Sequence, residues 1–119
     1  MRTIISGSRS ITDYNLLCQV MEEISWMPTV IISGHCPEGV DVLGERWGKE
    51  FGIPVKLYPA DWKRYGKKAG MLRNIEMAQI AQACVCLWDG MSPGTLNMIE
   101  TAQGYGLKLH VHRLQKTVK

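Results

Sequence analysis

The chain has no long hydrophobic run and little net charge, and each shortage excludes a class of protein. No apolar stretch approaches the roughly 20 residues that a helix needs to cross a bilayer. The net charge of +3 is too small to predict tight binding to nucleic acid by electrostatics alone. The first residues enter a predicted strand at once, without a signal-peptide pattern, so we expect a cytoplasmic protein.

The cysteines match no metal or redox motif. None of the four forms Cys-x-x-Cys with another, which argues against a zinc site or a redox pair. Cys84 and Cys86 alternate within an apolar strand, so we expect them to share one face as small core side chains. Cys36 lies in a glycine turn and has no evident base partner. Free thiols fit a reducing compartment, and we expect neither a metal nor a cofactor.

Short apolar strands alternate with amphipathic helices along the chain. The predicted strands are 2–6, 29–32, 54–58, 83–88 and 107–112. A first helix is capped by Thr12 or Asp13, and further helices are predicted over 39–51, 69–81 and 95–105. Leu72, Ile75 and either Met71 or Ala78 of the third are expected to face inward. The stretch 59–68 is expected to be a loop.

This alternation predicts the fold class. It is typical of βαβ units, whose right-handed crossovers place helices on both faces of a parallel sheet. The prediction is a single doubly wound, Rossmann-like α/β domain with a mostly parallel five-stranded sheet. It spans residues 1–112 and is followed by a basic C-terminal tail over 113–119.

Three glycine-bearing turns each follow a predicted strand. They begin at Gly7, Gly34 and Gly90, and the third runs on to Gly94 and Thr95. The carboxyl ends of parallel strands share one edge of the sheet, where open α/β sheets bind ligands. Glycine allows close backbone approach, and the following helix offers unpaired N–H groups to an anion. Together the turns predict a site for a phosphorylated ligand, although none forms the dinucleotide pattern G-x-G-x-x-G.

Several polar residues in these turns have two readings. Ser8 and Arg9 can supply a hydrogen-bond donor and a bidentate phosphate clamp, or simply form a helix-leading turn with an exposed arginine. Asp41 can accept a ribose hydroxyl or hold the amides of its turn in place, or it can only stabilise the dipole of its helix. Thr95 can cap the last helix or contact a phosphate.

The segment 59–74 is rich in groups that recognise ligands. Trp62 or Tyr65 can stack on a base, Lys67 can meet a phosphate, and Arg73 and Asn74 sit early in a helix. The alternative is a solvated basic loop whose tryptophan covers the sheet edge.

In this order the motifs resemble a known family. They are Ser-Gly-Ser-Arg at 6–9, Ser-Gly-His-Cys-Pro-Glu-Gly-Val-Asp at 33–41, Pro-Ala-Asp-Trp and Gly-Lys-Lys-Ala-Gly-Met-Leu-Arg-Asn within 59–74, and Ser-Pro-Gly-Thr at 92–95. The set is similar to the small stand-alone, YspA-like branch of the SLOG superfamily, the Rossmann-like group that includes the DprA and Lonely Guy proteins. The resemblance implies that the carboxyl edge of the sheet binds a nucleotide or a nucleotide-derived, ADP-ribose-like ligand.

The turns, the central segment and the resemblance together define a set of candidate ligand-binding residues. They are Gly7, Ser8, Arg9, Gly34, Gly39, Asp41, Trp62, Lys67, Gly70, Arg73, Asn74, Gly90, Gly94 and Thr95.

One departure from the family bears on catalysis. Lonely Guy phosphoribohydrolases carry Pro-Gly-Gly-x-Gly-Thr-x-x-Glu, and the catalytic glutamate of that motif corresponds to Met98 here. Glu100 lies two positions later, which is about 200° around a helix. Methionine can neither activate water nor stabilise an oxocarbenium-like centre. The sequence therefore favours a sensor or sequestering module over an enzyme, and it assigns no catalytic residue.

Three alternatives remain at this point. A nucleotide or ADP-ribose-derivative hydrolase would have to use Asp41 or Asp89 as its acid. Single-stranded DNA binding is suggested by analogy with the DprA relatives, although the modest charge argues against it. Self-association into a homo-oligomer is common in related folds, with Trp26, Met27 or Trp47 as candidate interface residues.

Overall fold

The structure is a computed structural model that describes residues 1–114. The elements in chain order are β1 (Arg2–Gly7), α1 (Tyr14–Glu23), β2 (Val30–Ser33), α2 (Val40–Glu50), β3 (Val55–Leu57), α3 (Trp62–Tyr65), α4 (Ala69–Ile80), β4 (Ala83–Trp88), α5 (Pro93–Gly104) and β5 (Lys108–Arg113). A 3-10 turn over Gly66–Lys68 joins α3 to α4. Of the predicted basic tail, Arg113 closes β5, and 115–119 lie outside the described residues. Within residues 1–114 no helix combines the length and hydropathy needed to span a membrane.

The strands form a parallel sheet in the order β3-β2-β1-β4-β5, which confirms the predicted fold class. β1 lies at the centre and pairs with β2 on one side and β4 on the other. The chain builds outward from β1 to β3, then crosses back to place β4 on the opposite side. The order in which strands are added to the sheet therefore reverses between β1 and β4. In such sheets this reversal leaves a crevice outside the carboxyl ends of the two strands, where ligands bind.

Helices cover both faces of the sheet and create two hydrophobic cores. Alternate side chains of a strand point to opposite faces, so Ile5 joins the core under α1 and α2, whereas Ile4 joins the core under α4 and α5. Cys84 and Cys86 are fully buried in the second core, as predicted. Trp47 is buried in the first core, so it is not available for an interface.

The segment 59–68 departs from the predicted loop. Residues 62–65 form the short helix α3, because the Asp61 side chain accepts a hydrogen bond from the Arg64 N–H at 3.1 Å and caps the turn. Gly66 ends it with a φ of 55°, a conformation that glycine adopts freely. Local side-chain capping therefore orders a segment that lacks any hydrophobic periodicity.

The buried face of α4 also differs from the prediction. Leu72 is exposed, whereas Asn74, Met77 and Ala78 are buried. Burial of a polar side chain is tolerated here because the Asn74 amide donates to the Asn97 Oδ1 at 2.9 Å. The predicted inward face is correct for Ala78 and wrong for Leu72 and Met71, because hydrophobic periodicity counts Asn74 as a surface residue.

Candidate functional site

A cleft of about 910 Å³ opens at the carboxyl edge of the sheet. The turns after β1, β2 and β4 form its floor and sides, and the segment around α3 and the start of α4 adds a further wall. The structure places the following predicted residues in its lining: Gly7, Ser8, Arg9, Gly34, Asp41, Trp62, Lys67, Gly70, Arg73, Asn74, Gly94 and Thr95. Gly39 and Gly90 do not line it.

Gly39 and Gly90 instead shape the turns beside the cleft. Both have φ near 82°, which side-chain-bearing residues rarely adopt. A Cβ on Gly39 would lie 2.4 Å from the Arg9 Cα, so its absence lets the first two turns pack together. Gly90 lies against the Arg113 guanidinium, which is centred 5.2 Å from the Trp88 ring. These two glycines determine loop geometry from outside the cleft.

Ser8 and Arg9 are adjacent but have different surroundings. The buried Ser8 Oγ accepts a hydrogen bond from the Asp89 N–H at 3.1 Å and lies 3.4 Å from the Thr95 Oγ1. It therefore joins the turns after β1 and β4. Arg9 is exposed on the cleft, and its guanidinium forms no ion pair with any residue in 1–114. Of the two, Arg9 is free to meet an anion.

The start of α5 corrects the expectation that Thr95 caps this helix. α5 begins at Pro93, with Ser92 in the N-cap position and proline in the first turn, where its missing N–H costs nothing. Thr95 lies inside that turn and is buried. An added Cβ on Gly94 would meet no atom within 4 Å, so the helix start is open to a ligand.

Asp89 organises the turn that leads into α5. Its carboxylate accepts hydrogen bonds from the Ser92 and Met91 N–H groups, both at 2.8 Å, and from the hydroxyls of Ser92 and Ser10. The bonds from the Ser92 and Met91 backbone hold the pKa of Asp89 well below its usual range. A carboxylate that stays ionised and fully engaged is unsuited to act as the acid of a hydrolase.

Replacing Asp89 with alanine should lower the free energy of unfolding by about 1–2 kcal/mol at neutral pH, because two backbone N–H groups lose their acceptor. The native pKa lies below the unfolded value of about 3.9, so this stabilisation is full above that value and is lost as the pH falls toward the native pKa. Urea denaturation of both proteins at neutral and acidic pH measures it. Glu100→Ala, an exposed carboxylate on α5, is the control. A pH-independent difference would contradict the assigned role.

Arg73 and Asn74 join three elements across the cleft. The Arg73 Nη1 donates to the Gly34 carbonyl at 2.7 Å and its Nε to the Asn74 Oδ1 at 3.0 Å. The Asn74 amide in turn bonds to Asn97 of α5. The pair therefore braces the cleft as well as lining it.

Asp41 is a buried carboxyl group in the cleft lining. It is 6% exposed and accepts a hydrogen bond from the Cys36 N–H at 3.0 Å. Burial raises the pKa of Asp41, and this effect outweighs the lowering by the Cys36 N–H and the Arg73 guanidinium. Asp41 is therefore more readily protonated than an ordinary aspartate.

Trp62 and Lys67 lie along the wall formed by α3 and the 3-10 turn. The Trp62 side chain is 54% exposed, and its ring packs over Gly70, where an added Cβ would lie 3.4 Å from it. Lys67 lines the same cleft and forms no ion pair with any described residue. An exposed aromatic face and an unpaired cation thus line one cavity.

Met98 and Glu100 face opposite ways, as two positions on a helix require. Met98 is fully buried in the second core, and Glu100 is exposed outside the cleft lining. No carboxylate of α5 therefore lines the cleft.

Several polar residues of the cleft lining were not among the candidate ligand-binding residues. They are Ser6, Ser10, His35, Asp89, Ser92 and Asn97. The position of Asn97, two residues after Thr95 and directly before Met98, was the one sequence feature that could have marked it as a cleft residue. Nothing in the sequence distinguishes Ser10 from an ordinary turn serine.

Comparison with known proteins agrees with this architecture. The family model described as "YspA, cpYpsA-related SLOG family" (YAcAr) matches residues 1–65. The "Gene 61 protein" of Mycobacterium phage D29 is 34% identical in an alignment 115 residues long that covers 89% of this chain and 91% of that protein. No solved structure matches the chain significantly. A parallel sheet of this order, the glycine turns at its carboxyl edge and these matches lead to one assignment: the chain belongs to the YspA, cpYpsA-related SLOG family.

Proposed function

We propose that this protein binds a nucleotide-derived ligand of the ADP-ribose type in the cleft and acts as a sensor or sequestering module. The observation that carries the proposal is the unpaired cations Arg9 and Lys67 beside the exposed Trp62. Membership of the SLOG family supports a nucleotide-related ligand in general.

The positive groups of the cleft suit phosphate oxygens. Arg9 provides a planar guanidinium for bidentate contact, and Lys67 provides a mobile ammonium. The first N–H groups of α5, at Gly94 and Thr95, have no partner within the helix. Because the dipole of a helix favours negative charge at its N-terminus, these groups add to the attraction.

Trp62 suits the base of such a ligand. Half of its side chain is exposed while one part packs on Gly70, so the ring is held but accessible. A purine stacked on an indole contributes about 1–3 kcal/mol without requiring a particular base. A ligand with both a base and phosphates would use the aromatic and the cationic groups together.

Calorimetric titration with AMP, ADP-ribose and cyclic ADP-ribose tests the proposal. We expect binding of at least one, and we expect Arg9→Ala, Lys67→Ala or Trp62→Ala each to weaken it on the order of tenfold, because each removes one contact. Lys63→Ala is the matched control, since Lys63 is an exposed cation of α3 that does not line the cleft. Absence of binding at millimolar ligand, or equal weakening by the control, would overturn the proposal.

A hydrolase of the same ligands is the second candidate. Asp41 favours it, because a buried carboxyl with a raised pKa is the form that can donate a proton. Chromatography of the calorimetry mixtures separates the two functions. Products that disappear in Asp41→Asn, while that variant still binds ligand, would establish cleavage.

A further inference from the structure

His35 lines the cleft in a left-handed backbone conformation, which is uncommon for residues that carry a side chain. Its φ is 56°, and no other non-glycine residue among 1–114 has a positive value. Side-chain-bearing residues persist in this region only where their surroundings hold them, and such positions concentrate at functional sites. The contacts of His35 therefore need an explanation beyond turn formation.

Three hydrogen bonds hold His35 in place. Its backbone N–H donates to the Ser33 Oγ at 3.0 Å, and the Ser33 hydroxyl donates to the Glu45 Oε2 at 2.7 Å. The same Glu45 oxygen lies 3.0 Å from the His35 Nδ1, which closes the network. Ser33 is fully buried at the end of β2, and Glu45 belongs to α2. Both the backbone and the ring of His35 are thus anchored to rigid elements.

This network specifies which ring nitrogen is available. Because the Nδ1 faces a carboxylate, it carries a proton, and the ring is oriented as in other carboxylate–histidine pairs. The Nε2 has no hydrogen-bond partner in residues 1–114, and half of the side chain is exposed. The free nitrogen can therefore accept a proton and then donate to an anionic oxygen.

The charges around the turn are mixed. Glu45 and Asp41 come from α2, and the Arg73 guanidinium comes from α4, where it holds the Gly34 carbonyl. Glu45 is the carboxylate within hydrogen-bond distance of the ring, at its Nδ1. An anionic ligand group at the Nε2 would add a second favourable partner for the proton.

We infer that His35 is a ligand-binding residue, positioned by Glu45 and Ser33, whose Nε2 takes up a proton from solvent and donates it in a hydrogen bond to an anionic oxygen of the ligand. The inference rests on the proposed function and adds a proton-coupled contact that it does not include.

Calorimetric titration with ADP-ribose in buffers of different ionisation enthalpy tests this inference. The diphosphate of this probe does not titrate near neutral pH, so any proton taken up on binding would be bound by the protein and not by the ligand. At slightly alkaline pH we expect net uptake in the unmodified protein and its loss in His35→Ala and His35→Asn, with affinity lower on the order of tenfold. Glu45→Gln should fold and reduce the uptake.

His110→Ala is the matched control. The His110 Nε2 also lies near a carboxylate, 3.7 Å from Glu23, but on β5 and outside the cleft. Unchanged proton uptake in this variant is expected. If the unmodified protein binds ADP-ribose without proton uptake, or if both His35 variants bind and take up protons as it does, the inference is wrong while the proposed function stands. If it binds none of the nucleotides, both fail.

Discussion

Glutamate at position 98 should unfold the protein rather than endow it with hydrolase activity. Met98 is fully buried among apolar side chains of β4, α4 and α5. A carboxylate there would lose its hydration without gaining a cation or hydrogen-bond donors. We expect Met98→Glu to cost more than about 4 kcal/mol, a large part of the 5–15 kcal/mol by which domains are typically stable.

Urea denaturation followed by circular dichroism measures this loss. Met98→Leu is the control, because it keeps the volume and apolar character and should cost less than about 1.5 kcal/mol. A Met98→Glu protein that folds stably and releases products from AMP or ADP-ribose would show that position 98 reaches the cleft.

Alanine at position 39 should destabilise the protein and weaken ligand binding together. Gly39 has φ 82° and ψ −150°, a region essentially restricted to glycine. A Cβ would lie 2.4 Å from the Arg9 Cα and 2.6 Å from the Ser8 carbonyl oxygen. These are backbone atoms, so relief requires the first turn to move. We expect a loss of about 3 kcal/mol or more in the free energy of unfolding.

The Gly52→Ala variant distinguishes the cost of a positive φ from the cost of a steric clash between the added Cβ and its neighbours. Gly52 also has a positive φ, 67°, but an added Cβ there meets nothing within 4 Å. Its replacement should cost only about 1–2 kcal/mol and leave ligand affinity unchanged. Equal losses for the two variants by urea denaturation would show that packing between the first two turns contributes little.

The fold follows from local patterns that the sequence displays directly. Strands of three to six residues alternate with helices, and helix boundaries agree where a local signal exists, such as the Asp13 cap of α1. The errors occur where a local pattern is ambiguous. The segment 59–68 lacks hydrophobic periodicity, yet Asp61 caps a short helix within it. α4 buries Asn74, which hydrophobic periodicity assigns to the surface.

The sequence predicted where the site lies but not which of its side chains are available to a ligand. Parallel strands bring their carboxyl ends together, so the glycine turns predicted the cleft edge, and most candidates line it. Whether a polar side chain is available to a ligand depends on partners that are remote in sequence. Ser8 is engaged by Asp89, 81 positions away, and Arg73 by Gly34, 39 positions away. His35 was not among the candidates because its partner Glu45 lies ten positions away, on α2, and no local pattern links the two residues.

The sequence by itself determined the sheet, its parallel sense and the edge at which ligands would bind, because hydrophobic periodicity and glycine turns are local properties. Only the tertiary structure decided which groups at that edge are free. It engages Ser8, Asp89 and Arg73 in hydrogen bonds to segments that are remote in sequence, and it leaves Arg9, Lys67 and the His35 Nε2 without partners among the described residues. It also buries Met98, since the rotation of α5 against the sheet turns that position into the core. Such choices depend on how distant segments pack, which no local pattern encodes.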